Sequence, residues 1–122
     1  MPESSGSRDW SLFFRDMQQW CAKVMRYTHG LSQDQFLGNE LVYDAVLRNL
    51  ELLGEAAKQI PTEVQQRHPN VPWRRIAGLR DVLAHAYFGL EEDTIWQTIG
   101  HSIPALAEQL DAVASMELPD QK

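Results

Sequence analysis

The segment Arg80-Asp81-Val82-Leu83-Ala84-His85-Ala86-Tyr87 gathers a guanidinium, a carboxylate, an imidazole and a phenol within about two turns of helix. The residues between them are small or apolar. A helix that only filled a core would not need such polarity. The set suits phosphate chemistry. Arginine offers a planar fork of donors to two phosphate oxygens and stays charged at any working pH. Histidine takes and gives protons near neutrality. Together they could break an RNA phosphodiester without a metal. The imidazole would handle the 2′-hydroxyl or leaving-group proton, and the guanidinium would stabilise charge growing on the phosphoryl oxygens.

Helical geometry constrains that idea. At about 100° per residue, Arg80 and His85 sit about 140° apart on a straight helix. Tyr87 returns close to the face of Arg80, whereas His85 shares a face with Asp81. One helix cannot aim Arg80 and His85 at the same atom unless the side chains bend round an edge or the helix is distorted. Otherwise two copies must meet along this helix and pool residues.

Apolar spacing predicts the elements that carry the segment. Trp10, Phe13, Phe14, Met17, Trp20, Cys21, Val24 and Met25 recur at three- and four-residue steps. That is an amphipathic helix from a Ser7 cap to about Thr28. Cys21 lies inside the apolar stripe, as a buried thiol would. Ser32-x-x-Gln35 has the form of a capping box before a short helical turn. Asn39 can cap a second long helix, Glu40 to Ile60, whose broad stripe implies more than one neighbour. Gly54 interrupts that helix, where glycine costs about 1 kcal/mol against alanine, so close approach of another helix is expected.

A short turn is predicted from Thr62, then a loop with an exposed His68. A third long helix should start at Pro72, well suited to a first helical position, and end near Tyr87. A fourth should run from Glu91 to Met116, with a kink or break at Pro104. His101, near that break, reads as structural or exposed. His85 falls in the last turn of the third helix, beside unpaired carbonyls. That place suits an acid donating to a leaving oxygen.

The 122 residues make one domain, 1–122, with polar ends (1–7 and 117–122) expected to fray. One cysteine excludes an internal disulfide and fits a reducing compartment, so the cytoplasm is expected. No apolar run approaches membrane-spanning length. The four histidines are too scattered for a metal set, and no metal site is expected. A net charge of −6 argues against a general nucleic-acid binder. Yet Arg67, His68, Arg74, Arg75, Arg80 and His85 lie close together, and a basic zone there could hold phosphates.

Arg80-x4-His85-x-Tyr87 resembles the signature of the HEPN superfamily, and more narrowly that of the HepT-like ribonuclease toxins. The likeness covers most of the chain. It includes Asp44 to Glu51, Leu53 to Lys58, Pro72 to Asp81 and Tyr87-Phe88-Gly89. The resemblance implies an all-α, up-and-down four-helix bundle that dimerises along the motif helix. It implies a metal-independent endoribonuclease toxin of a type VII-like toxin–antitoxin pair, with tRNA as an expected target. Arg80 and His85 would be catalytic, supported by Asp81 and Glu55, with Arg74 and Arg75 on the RNA. Tyr87 would be adenylylated by a small nucleotidyltransferase antitoxin. No cofactor belongs to this chain, since ATP and Mg would be the partner's. The alternative is a non-catalytic helical partner subunit that binds nucleotide or protein.

Overall fold

In the computed structural model, which describes residues 9–89 and 91–118, the first helix is α1, Trp10–Thr28. Ser7 lies outside the described residues. The observed cap is Asp9, whose carboxylate accepts from the Ser11 N–H at 3.0 Å. Phe14, Met17, Cys21 and Val24 are fully buried along the predicted stripe. Burial, then the charge of Asp111, pushes the Cys21 thiol up to about 12, which leaves it an inert core group. The capping box forms at α2, Gln33–Gly38: the Gln35 N–H donates to Ser32 Oγ and the Ser32 N–H to Gln35 Oε1. Asn39 caps α3, Glu40–Ala57, by accepting from the Val42 N–H.

Helix α3 is central. It packs against α1 on one side and against the motif segment on the other. Its buried face carries Val46, Leu47, Leu50, Leu53, Ala56 and Ala57. After α4, Thr62–Arg67, the chain reaches the segment predicted as one long helix from Pro72. The structure instead holds two helices, α5 (Trp73–Ala77) and α6 (Leu79–Ala86), broken at Gly78. The reason lies across the interface. A Cβ on Gly54 would stand 3.0 Å from the Ile76 carbonyl oxygen and 3.8 Å from that of Ala77. Two backbones meet there, and the ladder of α5 yields at the contact. Gly54→Ala should therefore destabilise the fold by about 1–3 kcal/mol, outweighing alanine's better helix propensity of about 1 kcal/mol. Urea unfolding followed by circular dichroism measures it. A variant more stable than wild type would mean that the two backbones part freely.

The predicted fourth helix is also interrupted. Helix α7 (Glu92–Gln97) passes through a π-helical turn, Thr98–Ser102, into α8 (Ile103–Glu117). The Ile103 N–H reaches back to the Thr98 carbonyl. Pro104 has no N–H to continue the ordinary ladder, and the wide turn immediately before it absorbs the mismatch. The result is an all-α bundle of α1, α3, α5–α6 and α7–α8, with α2 and α4 as short connectors. Among the described residues there is no strand. Among the described residues no helix is long and apolar enough to cross a membrane.

Two expectations at the chain's basic loop fail. His68 is buried, not exposed, and Glu117 is anchored, not frayed. The Glu117 carboxylate accepts from Arg67 Nε at 2.8 Å, Arg67 Nη2 at 2.7 Å and His68 Nε2 at 2.8 Å. The Trp73 indole N–H donates to the His68 carbonyl at 3.0 Å. The end of α8 is thereby tied to the loop that feeds α5. Residues 119–122 lie outside the described residues. The bond from Arg67, then that from His68, holds the Glu117 carboxyl down to about 2. A carboxyl depressed by folding adds stability that is full above its ordinary 4.5 and is lost as pH falls towards 2. The wild type should thus unfold at lower denaturant as pH drops through that window, and Glu117→Gln should lose that part of the slope. Parallel slopes for the two proteins would refute the tie.

Candidate active site

Helix α6 lies antiparallel on α3. At its start, Leu79 lies near Gly54, and at its end the Tyr43 hydroxyl donates to the Ala86 carbonyl at 3.4 Å. Leu79, Leu83 and Ala86 face inward. Arg80, Asp81, Ala84 and His85 are therefore left outward, all exposed. The break at Gly78 precedes Arg80, so Arg80 and His85 share one short regular helix and its angular constraint.

Each of the two groups has its own carboxylate. Arg80 Nη1 lies 3.6 Å from Glu55 Oε2, which is also 3.6 Å from Lys58 Nζ. His85 Nδ1 lies 4.0 Å from Glu91 Oε2. The side chains of Arg80 and His85 are 73% and 61% exposed, so both pairs are loose, solvated and free to exchange partners. Among the described residues, no hydrogen bond or ion pair joins Arg80 to His85, or Asp81 to His85. The carboxylate nearest the imidazole is that of Glu91.

Glu91 has a second peculiarity. Its backbone is left-handed, at φ 64° and ψ 21°, which side-chain-bearing residues avoid at a cost of about 1–3 kcal/mol. Gly89, two residues earlier in the sequence, also has positive φ, at 77°. The Glu91 carboxylate bridges back to His85 and forward to the Thr94 hydroxyl, at 2.9 Å. Tyr87 ends α6, with its N–H on the Leu83 carbonyl, and its ring stands exposed beside an exposed Phe88. Burial, then Glu92, Asp44 and Tyr87, pushes the Tyr43 phenol up, so it persists as the donor that pins Ala86.

Residues 17–113 match the family model for HepT-like ribonucleases. The chain belongs to this family. A protein of Methanocaldococcus jannaschii that carries an RNase name is 32% identical over 106 residues, covering 87% of this chain and 88% of its own. One of Caldanaerobacter subterraneus, also with an RNase name, is 36% identical over 105 residues, 86% of this chain and 94% of its own. One of Thermococcus cleftensis, named a HepT ribonuclease, is 36% identical over 94 residues, 77% of this chain and 86% of its own. No solved structure matches the chain.

In this HepT-like ribonuclease the motif presents a guanidinium, an imidazole and a phenol to solvent from a helix clamped at both ends. Arg74 and Arg75 are exposed on α5, across the break from Arg80. Among the described residues no cluster of His, Cys, Asp or Glu could hold a metal ion. Reading the sequence missed Glu91 as the neighbour of His85, because its charge was spent on explaining the start of α7. The available signal was Gly89, whose freedom to take positive φ lets the chain turn sharply after α6 before it reaches Glu91.

Proposed function

We propose that this HepT-like endoribonuclease is the toxin of a type VII-like toxin–antitoxin pair, acting in the cytoplasm on RNA, with tRNA as its target. The observation that carries the reading is the state of Arg80 and His85. Both sit exposed on one rigid helix, each beside only a loosely held carboxylate. An RNA phosphate entering there takes Arg80 from Glu55 and forms charge-assisted bonds of its own. The 2′-hydroxyl oxygen attacks phosphorus and the bond to the 5′-oxygen breaks. His85 moves the proton, and Arg80 stabilises the charge on the phosphoryl oxygens. The ends are a 2′,3′-cyclic phosphate and a 5′-hydroxyl. Arg74 and Arg75 hold the flanking backbone, Glu91 orients His85, and Asp81 orients Arg80 of a second copy.

A homodimer along α6 completes the site in this reading. Its supports are the angle between Arg80 and His85 and the exposed Tyr87 and Phe88, two aromatic side chains that directly follow the motif helix. Adenylylation of Tyr87 by a nucleotidyltransferase partner would switch it off. The phenol oxygen takes AMP from ATP and pyrophosphate leaves. The added negative charge then competes with RNA phosphate for Arg80. The net charge of −6 favours a second reading, a non-catalytic partner subunit of that nucleotidyltransferase.

The deciding experiment is incubation of purified protein with tRNA in excess chelator. Cleavage with 2′,3′-cyclic phosphate ends is expected, and is expected to vanish in protein that mass spectrometry shows to carry AMP on Tyr87. Intact RNA, or products with 5′-phosphate ends, would remove the reading.

A further inference from the structure

The third predicted helix is broken at Gly78 and the fourth is interrupted just before Pro104, and the two interruptions face one cavity. Gly78, at the α5–α6 break, lies on one side of it, and the π-helical turn lies on the other. Its volume is about 640 Å³. That is within the range of about 300–1,000 Å³ typical of small-molecule sites, which in helical bundles form between helices. Leu53, Ile76, Leu79, Val82, Ile103 and Leu106 supply an apolar lining. Arg75 and His101 also line it, and among the described residues neither has an ion-pair partner. Among the described residues no carboxylate lines the cavity, in a chain with 17 acidic residues. The Thr98 hydroxyl is already committed to the Thr94 carbonyl, at 2.8 Å.

We propose that this cavity binds an amphipathic organic anion, an apolar ring or chain carrying one phosphate, sulfonate or carboxylate. The apolar body sits against the inner faces of α3, α6 and α8. The anion meets Arg75, whose guanidinium donates to two oxygens at once, and the ring N–H of His101. The charge complementarity selects the ligand's sign. A neutral apolar molecule would leave the guanidinium unused, and a cation would be repelled. Leu79 and Val82 belong to the motif helix, so an occupant would brace α6 from behind.

The test uses the full chain and the fluorescent probe 1-anilinonaphthalene-8-sulfonate, which combines an aromatic body with one anion. Saturable binding of one probe per chain is expected, with amide exchange slowed across 79–86. Arg75→Glu should weaken it about tenfold or more, a loss of about 1.4 kcal/mol. Ala105→Trp, at an exposed position of α8 that lines the cavity, should abolish it without lowering the melting temperature. Phe88→Ala should leave it unchanged. Binding that survives both cavity variants, or is lost in Phe88→Ala, would place the dye on the exposed aromatic patch and overturn the proposal. Displacement by adenosine monophosphate identifies a nucleotide as the source of the anion, and by decanoate a fatty carboxylate. Displacement by neither overturns the ligand class.

Discussion

His85→Ala is expected to slow RNA cleavage by a factor of about 10²–10⁴, the usual contribution of a positioned general acid or base. Arg80→Ala should lose about 10²–10³, as when one donor to a developing oxyanion is removed. The measurement is single-turnover cleavage of labelled RNA with enzyme in excess, which reads the chemical step apart from product release. Both side chains are exposed, so neither truncation should disturb the core, and unchanged circular dichroism and melting would confirm it. Glu55→Gln gives the contrast. It releases Arg80 from an exposed pair worth little to stability, and so should leave cleavage equal or faster. Wild-type rates in both Arg80→Ala and His85→Ala would end the assignment of chemistry to α6. Toxicity on expression gives the same contrast in cells. A catalytic toxin loses it with His85, and a non-catalytic partner subunit does not.

Much of the scaffold was readable because its signals are local. A capping box spans four residues, so Ser32 and Gln35 announce α2 without reference to anything distant. A glycine inside a strong helix has few explanations, and Gly54 marks the close approach that the structure shows. The failures share the opposite property. The apolar spacing Ile76, Leu79, Val82 and Ala86 runs across Gly78 without a fault, yet the helix breaks there. The cause is α3, more than twenty residues upstream. His68 looked like an idle loop residue because its partner, Glu117, lies 49 positions downstream. The motif behaves the same way. The residue types and their spacing were legible, while the carboxylates that Arg80 and His85 contact were set by the packing of α3 and by the left-handed turn at Glu91. Sequence names the reactive groups, and tertiary structure chooses their neighbours.

Mixing inactive Arg80→Ala with inactive His85→Ala should restore cleavage to about a quarter of wild type, if the site forms across a twofold axis. The reasoning is geometric. On α6 the two groups diverge by about 140° within one chain. An isologous pairing of two α6 helices brings Arg80 of each copy opposite His85 of the other, and makes two equivalent grooves. In a mixed dimer one groove inherits both substitutions and the other neither. Random exchange makes about half of the dimers mixed, and each carries one intact site of two. A site built within one chain behaves differently, since every groove in the mixture then lacks either Arg80 or His85. The experiment needs proof of exchange, supplied by native mass spectrometry of the mixed species. Mixed dimers present in quantity but no more active than either parent would leave each chain to cleave alone. Arg80 and His85 would then have to converge round the edge of a single helix, which the regular geometry of α6 opposes.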